Sequence, residues 1–323
     1  MPAPSNSLTH LLTRYVEAMS SVEGKSKTTI KSYQNRLRIF VRWAGDGATL
    51  DAVTESTLYD FLDYLNARKT DDGRPICKTT VNTFFNALRA FGAWLVVRRY
   101  WQENIVAAVK IPDRSEPDRR YVEDQTVTDL LSACNKIYPL RRSLMATLVI
   151  RLLCYSGIRR SELLNMHLDH INIRANEITI HHGKGDKTRV LGLHPEIRSA
   201  YLAWRTARGE CHNPNLLTVD RNRRLGDEGL RALLREIESV AGHRGERITC
   251  HPLRSNYATY AHYQAQMPSQ AVQITMGHSR LATTEQYFRK RPKAAIDGMK
   301  AMPIREAARP ERIDLRRVRQ GRS

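Results

Sequence analysis

Apolar residues recur every three or four positions through most of the first hundred residues, and that spacing commits this stretch to amphipathic helices. Over 26–44, Ile30, Tyr33, Leu37, Phe40 and Val41 share a face, while Arg36, Arg38 and Arg42 fall mostly on the other. Thr54 is a suitable N-cap for a second helix carrying Leu58, Phe61, Leu62 and Leu65. A third, over 79–97, buries Val81, Phe84, Phe85, Leu88, Phe91, Trp94 and Leu95. A shorter helix covers 8–19. The expectation is a four-helix N-terminal domain over 1–110 with basic outward faces.

The pattern then breaks. Residues 111–120 read IPDRSEPDRR, with two prolines and almost nothing apolar, which suits an exposed linker. A second domain follows over 121–323, as a chain of 323 residues has room for two cores. It reads as mainly helical with one β-element: ITIHH (178–182) and TRVLGL (188–193) flank the glycine-rich GKGDK (183–187), the pattern of a hairpin. Helices are expected over 195–209, 227–240, 251–264 and 269–276. The tail over 289–323 holds twelve Lys or Arg against four Asp or Glu.

Charge narrows the class of partner. Lys plus Arg is 52 and Asp plus Glu 33, a net charge of +19. Such an excess favours polyanions, since each neutralised phosphate releases a condensed counterion, and it points to nucleic acid. No apolar run approaches the ~20 residues of a membrane span, and the first ten residues lack a signal peptide's basic and apolar regions. The five cysteines are scattered and odd in number, neither a disulfide framework nor a zinc motif. The chain is expected to be cytoplasmic, at the nucleoid, with no membrane partner, metal or other cofactor.

Four pieces of the second domain carry the residues of chemical interest. In YSGIRRSELLNMHLDHI (155–171), Gly157 ends one helix, and Ser161 with Glu162 opens the next beside Arg159. A helix N-terminus next to a guanidinium is a natural anion site. Lys184 stands in the GKGDK turn. In HPLR (251–254), Pro252 suits a first helical turn, and His251 and Arg254 share a face at i and i+3. In MGHSRLATTEQYFRK (276–290), Gly277 ends a helix, His278 follows, and Thr283 or Thr284 can cap a short helix bearing Tyr287. Each piece alone also reads as ordinary structure: a turn with solvated arginines, a basic turn, a histidine at a helix start, a packing tyrosine.

In this order, Arg159, Lys184, His251-x-x-Arg254, His278 and Tyr287 resemble the tyrosine recombinases, also called the phage integrases. The motifs SGIRRSELL, GKGDKTR, HPLR and MGHSRLATTEQY cover the second domain, and the N-terminal helices resemble, more weakly, that family's SAM-like core-binding domain. The resemblance implies a mainly α fold with a small β-hairpin or sheet, arranged as a two-domain C-shaped clamp. It implies Tyr287 as the nucleophile that forms a 3′-phosphotyrosyl bond. Arg159 and Arg254 would clamp the non-bridging oxygens, and Lys184 would protonate the leaving 5′-oxygen. His251 would assist proton transfer, His278 would hydrogen-bond the scissile phosphate, and Glu162 would support the site.

Physical chemistry fits that set. A tyrosine hydroxyl titrates near ~10 and needs cationic surroundings to attack at neutral pH. Phosphoryl transfer spreads negative charge over the equatorial oxygens, where fixed guanidinium groups stabilise the transition state. A positioned acid for the leaving alkoxide contributes ~10²–10⁴-fold. No metal or ATP enters this scheme.

The family resemblance further implies double-stranded DNA with an inverted-repeat core site, a homotetrameric synapse, a Holliday junction, and integration, resolution or inversion as the task. An accessory protein is compatible with it. The first helix starting near Leu8 leaves no room for the arm-binding domain of lambda-like integrases, so a simpler Xer-like or Cre-like layout is expected. The segment 294–302, with Ile296, Met299 and Met302, is expected to dock on a neighbouring protomer. Arg36, Arg38, Lys78 and Arg89 are candidates for DNA contact, with a solvated basic face as the equal alternative. The rival functions are a type IB topoisomerase and a catalytically inactive architectural DNA-binding protein. A cysteine enzyme built on Cys250 and His251 is rejected, because adjacent residues rarely present both side chains to one atom.

Overall fold

The computed structural model describes residues 6–21, 24–70, 73–111, 122–181, 188–220, 222–245, 247–278 and 280–285. The chain divides into two compact units, Met1–Asp118 and Arg119–Ser323, a division that falls inside the 111–120 stretch. The GKGDK turn with Lys184, most of that stretch, and everything from 286 onward, including Tyr287 and 294–302, lie outside the described residues.

In the first unit, α1 spans Leu8–Ser21, α2 Lys27–Ala44, α3 Glu55–Ala67, α4 Lys78–Val97 and α5 Ile105–Ala108. The short α5 adds a helix to the four expected. The starts follow local chemistry. The Ser26 hydroxyl accepts from the Thr29 N–H at 3.2 Å, and the Thr54 hydroxyl accepts from the Thr57 N–H at 3.2 Å. The apolar faces meet in one core, in which Leu11, Leu37, Phe61, Phe85 and Leu95 are fully buried. Phe40 meets Phe61 edge-on with centroids 5.0 Å apart. Each such side chain contributes roughly 1.5–3 kcal/mol on burial.

The four basic candidates of this unit separate into two kinds. Arg36 Nε donates to Thr83 Oγ1 at 3.0 Å, tying α2 to α4. Arg89 Nη2 donates to the Val109 carbonyl at 3.2 Å. Both are half-buried, whereas Arg38 and Lys78 are exposed.

The second unit is built round α7 (Leu140–Ser156), which is buried on all sides rather than along one stripe. Against it pack α6 (Asp124–Cys134), α9 (Pro195–Arg208), α10 (Asp227–Ala241) and α11 (Cys250–Tyr263). Trp204 of α9 is fully buried and its Nε1 donates to the Leu216 carbonyl at 2.9 Å. The remaining helices are α8 (Arg160–Leu164), α12 (Ser269–Met276) and α13 (Leu281–Glu285).

The β-element has three strands rather than two. β1 (Ile171–Asn172), β2 (Glu177–Ile180) and β3 (Arg189–Gly192) run antiparallel in that order, with Ile178 opposite both Ile171 and Leu191. β1 is only two residues long, too short to show a period of two in sequence. A second expectation also needs correction. Thr283 and Thr284 lie inside α13 instead of capping it, because the helix starts at Leu281 and Thr284 is fully buried.

Candidate active site

Two left-handed helix ends organise the site. Gly157 closes α7 with φ +58°, and Gly277 closes α12 with φ +62°. Both are positions that favour glycine. A Cβ on Gly157 would stand 2.2 Å from the Tyr257 ring, so the ring packs directly on the backbone there. The Tyr257 hydroxyl reaches Thr275 Oγ1 at 3.0 Å, joining α11 to α12 beside both turns.

Immediately past Gly157, Ile158 is buried and fixes the chain, and Arg159 then caps α8. The Arg159 N–H donates to Glu162 Oε2 at 2.7 Å, and its Nη1 donates to Glu162 Oε1 at 2.8 Å. Arg159 Nη2 also donates to the Gly277 carbonyl. Arg159 keeps 23% of its side chain exposed, enough to face a ligand, whereas Glu162 keeps 3%.

Glu162 is the electrostatic centre of the group. Arg189, at the start of β3, donates to it from both terminal nitrogens at 2.9 and 2.8 Å, and from Nε to the Thr275 carbonyl at 2.8 Å. Burial raises the Glu162 carboxyl, but hydrogen bonds from Arg189 and Arg159 outweigh it and hold the group down at about 2. A buried carboxylate between two guanidinium groups stays ionised and fixes both.

Arg254, in the second turn of α11, is almost wholly buried. Its guanidinium donates to the Gly157 carbonyl, to the Met276 carbonyl at 2.6 Å, and to His278 Nε2 at 3.0 Å. His278 Nδ1 in turn lies 2.9 Å from Thr284 Oγ1, and Gln273 Nε2 donates to the His278 carbonyl at 3.0 Å. Arg159, Glu162, Arg254 and His278 are thus gathered on the Gly157 and Gly277 turns. His251, near the start of α11, is exposed and lines a cleft of about 620 Å³ with Arg160, Arg231, Arg235 and Arg247. Lys184 and Tyr287 are outside the described residues.

Sequence reasoning missed Arg189, Thr275, Tyr257 and Thr284 as parts of this arrangement. Arg189 did carry a signal. In β3 it shares the inward face with Leu191, and a charge on that face requires a buried partner. Cys250 is buried and its thiol is pushed up to about 11 by burial, which leaves no thiolate for the cysteine chemistry already rejected.

Residues 120–294 match the phage integrase family, and residues 12–99 match the N-terminal SAM-like domain of phage integrases. The chain belongs to the phage integrase family. It is a tyrosine recombinase, of the class that cleaves and rejoins DNA. Among curated relatives, it is 29% identical over 275 residues to tyrosine recombinase XerA of Thermococcus kodakarensis, covering 84% of this chain and 88% of that one. It is 28% identical over 290 residues to tyrosine recombinase XerC of Mycobacterium sp. strain JLS, covering 86% and 93%. The fold is shared with the Tn1549 transposon integrase in complex with a circular intermediate DNA, at 14% identity and a TM-score of 0.72, covering 92% of this chain and 99% of that one. XerH site-specific recombinase bound to its difH substrate is also similar, at 20% identity and a TM-score of 0.65, covering 91% and 84%. Among the described residues no helix is long and apolar enough to cross a membrane.

Proposed function

We propose that this tyrosine recombinase acts at a specific inverted-repeat DNA site, with Tyr287 as nucleophile and Arg159 and Arg254 as the phosphate clamp. The observation that carries the reading is the meeting of Arg159 and Arg254 on the Gly157 and Gly277 turns, with His278 hydrogen-bonded to Arg254. Two guanidinium groups held by backbone carbonyls are already oriented, so a phosphate that replaces some of those contacts meets donors with little left to reorganise.

In this reading Lys184 protonates the leaving 5′-oxygen and His251 assists proton transfer. Tyr287 keeps the 3′-phosphate as an ester. The phosphodiester energy is conserved in that ester, so the free 5′-hydroxyl can religate without ATP. Glu162 positions Arg159 and Arg189 without touching the DNA. Two protomers occupy inverted half-sites, four form the synapse, and strand exchange proceeds through a Holliday junction, with segment 294–302 docking on a neighbouring protomer. The protein works in the cytoplasm at the nucleoid.

The test is to incubate the purified chain with fragmented genomic DNA of its source, trap adducts with denaturant, and sequence the captured ends. Adducts clustered at a short inverted repeat support a site-specific recombinase. Scattered adducts support a topoisomerase-like relaxation instead.

A further inference from the structure

We propose that His167, Asp169 and His170, with His181 from the end of β2, form a binding site for a divalent transition-metal ion such as Zn²⁺. The donor atoms of His167, Asp169 and His170 all lie within 4.8 Å of one another. The His167 and His170 rings stack with centroids 5.0 Å apart, and the His181 ring lies 4.5 Å from that of His170. The three imidazoles line one open cleft of about 430 Å³ together with Asn165 and Met166.

The backbones that carry these groups are pinned. Leu168 N–H donates to the Pro214 carbonyl at 3.1 Å, and Leu216 N–H donates to the Met166 carbonyl at 2.7 Å, which fixes the turn bearing His167 and Asp169. His170 leads directly into β1, His181 directly follows β2, and these strands pair at Ile171 and Ile178. The ligand set therefore joins two adjacent strand ends rather than lying on one loose loop.

The geometry is close to what a metal needs. With bonds of ~2.0–2.1 Å, donors in a tetrahedral site stand about 3.3 Å apart, so modest side-chain rotations bring His167, Asp169 and His170 into register, with the His181 ring beside them. Binding would break the contact between the His167 N–H and His170 Nδ1, a long hydrogen bond of 3.3 Å. Asp169 is 85% exposed and sits 3.9 Å from His170 Nε2, so its charge is available to offset the cation. Three imidazoles with one carboxylate favour Zn²⁺, Co²⁺ or Ni²⁺ over Mg²⁺ or Ca²⁺, which prefer oxygen donors. An occupied site would tie the Leu168–His170 turn to His181, just past the end of β2 and three residues before Lys184 in sequence.

The experiment is a Zn²⁺ titration of the tag-free, full-length chain against a chromophoric chelator, with a parallel Co²⁺ absorption spectrum. The expected result is one saturable site of micromolar affinity, unaffected by excess Mg²⁺, with a Co²⁺ spectrum free of thiolate charge transfer. Affinity should fall by about 10–100-fold in His170→Ala. It should also fall in Asp169→Asn, whose exposed position removes any concern over folding. No saturable uptake below millimolar Zn²⁺, equal uptake by wild type and both variants, or a thiolate band would each overturn the proposal.

Discussion

Arg254 Nη2 lies 3.0 Å from His278 Nε2. A guanidinium carries only donors, so Nε2 must accept, and a neutral His278 then holds its proton on Nδ1, aimed at Thr284 Oγ1 at 2.9 Å. Arg254 therefore sets the tautomer, and Thr284, accepting from Nδ1, sets the tilt of the ring that faces it. Thr284→Val should lower single-turnover DNA cleavage about tenfold, the worth of one ~1.4 kcal/mol hydrogen bond, with DNA affinity unchanged. Thr284→Ser should restore the rate. If the valine and serine variants cleave equally, Thr284 has no such role.

Glu162 makes stability depend on acid. Its folded value is depressed to about 2 from an ordinary 4.5, so its contribution is fully present above about 4.5 and is lost as pH falls toward about 2. Glu162→Gln should flatten that part of the stability profile. At neutral pH it should cost about 3–5 kcal/mol, because two arginines lose their buried counter-charge. Urea melts between pH 2 and 7 read both effects.

Gly277→Ala should harm catalysis more than folding. The new Cβ would lie 2.9 Å from Arg189 Nη1 and 3.1 Å from Arg159 Nη1. Those are ends of long side chains and can move, but moving them displaces Arg159, the proposed phosphate clamp. The left-handed backbone adds about 1 kcal/mol of strain. We expect cleavage to fall at least ~100-fold, as for a misplaced catalytic group, while the melting temperature drops by only a few degrees. Equal loss in both readouts would assign Gly277 to folding alone.

The basic residues of the first unit should separate by role. Arg38 is exposed and Arg36 is tied to Thr83, so Arg38→Ala should weaken DNA binding and reduce its salt slope by about one. Arg36→Ala should lower thermal stability instead. Filter binding across a salt series, paired with melts of both variants, checks the division. A reversed outcome would place the DNA on another face.

Much of this was legible in the sequence because helices announce themselves. The 3.6-residue spacing of Leu37 and Phe40, or of Phe84, Leu88 and Phe91, places the core directly, and Ser26 and Thr54 mark helix starts by their own side-chain chemistry. Arg159, Arg254 and His278 stood out for a different reason: alone each read as ordinary structure, and together the order of their motifs resembles that of the tyrosine recombinases. What stayed hidden was long-range. The Arg189–Glu162 pair spans 27 positions and the Arg254–Met276 bond spans 22, and no local period records either. The two-residue β1 and the buried placement of Thr284 depend on tertiary packing in the same way.

The central claim is that Tyr287, among the thirteen tyrosines of the chain, attacks DNA. The most direct measurement is peptide mapping by mass spectrometry of the covalent adduct formed on a nicked substrate of its own site, beside the Tyr287→Phe variant. The account predicts one nucleotide-bearing peptide, containing Tyr287, and no adduct from the variant, which should still bind DNA. An adduct mapped to Tyr257, Tyr263 or any other tyrosine, or one that persists in Tyr287→Phe, would contradict it.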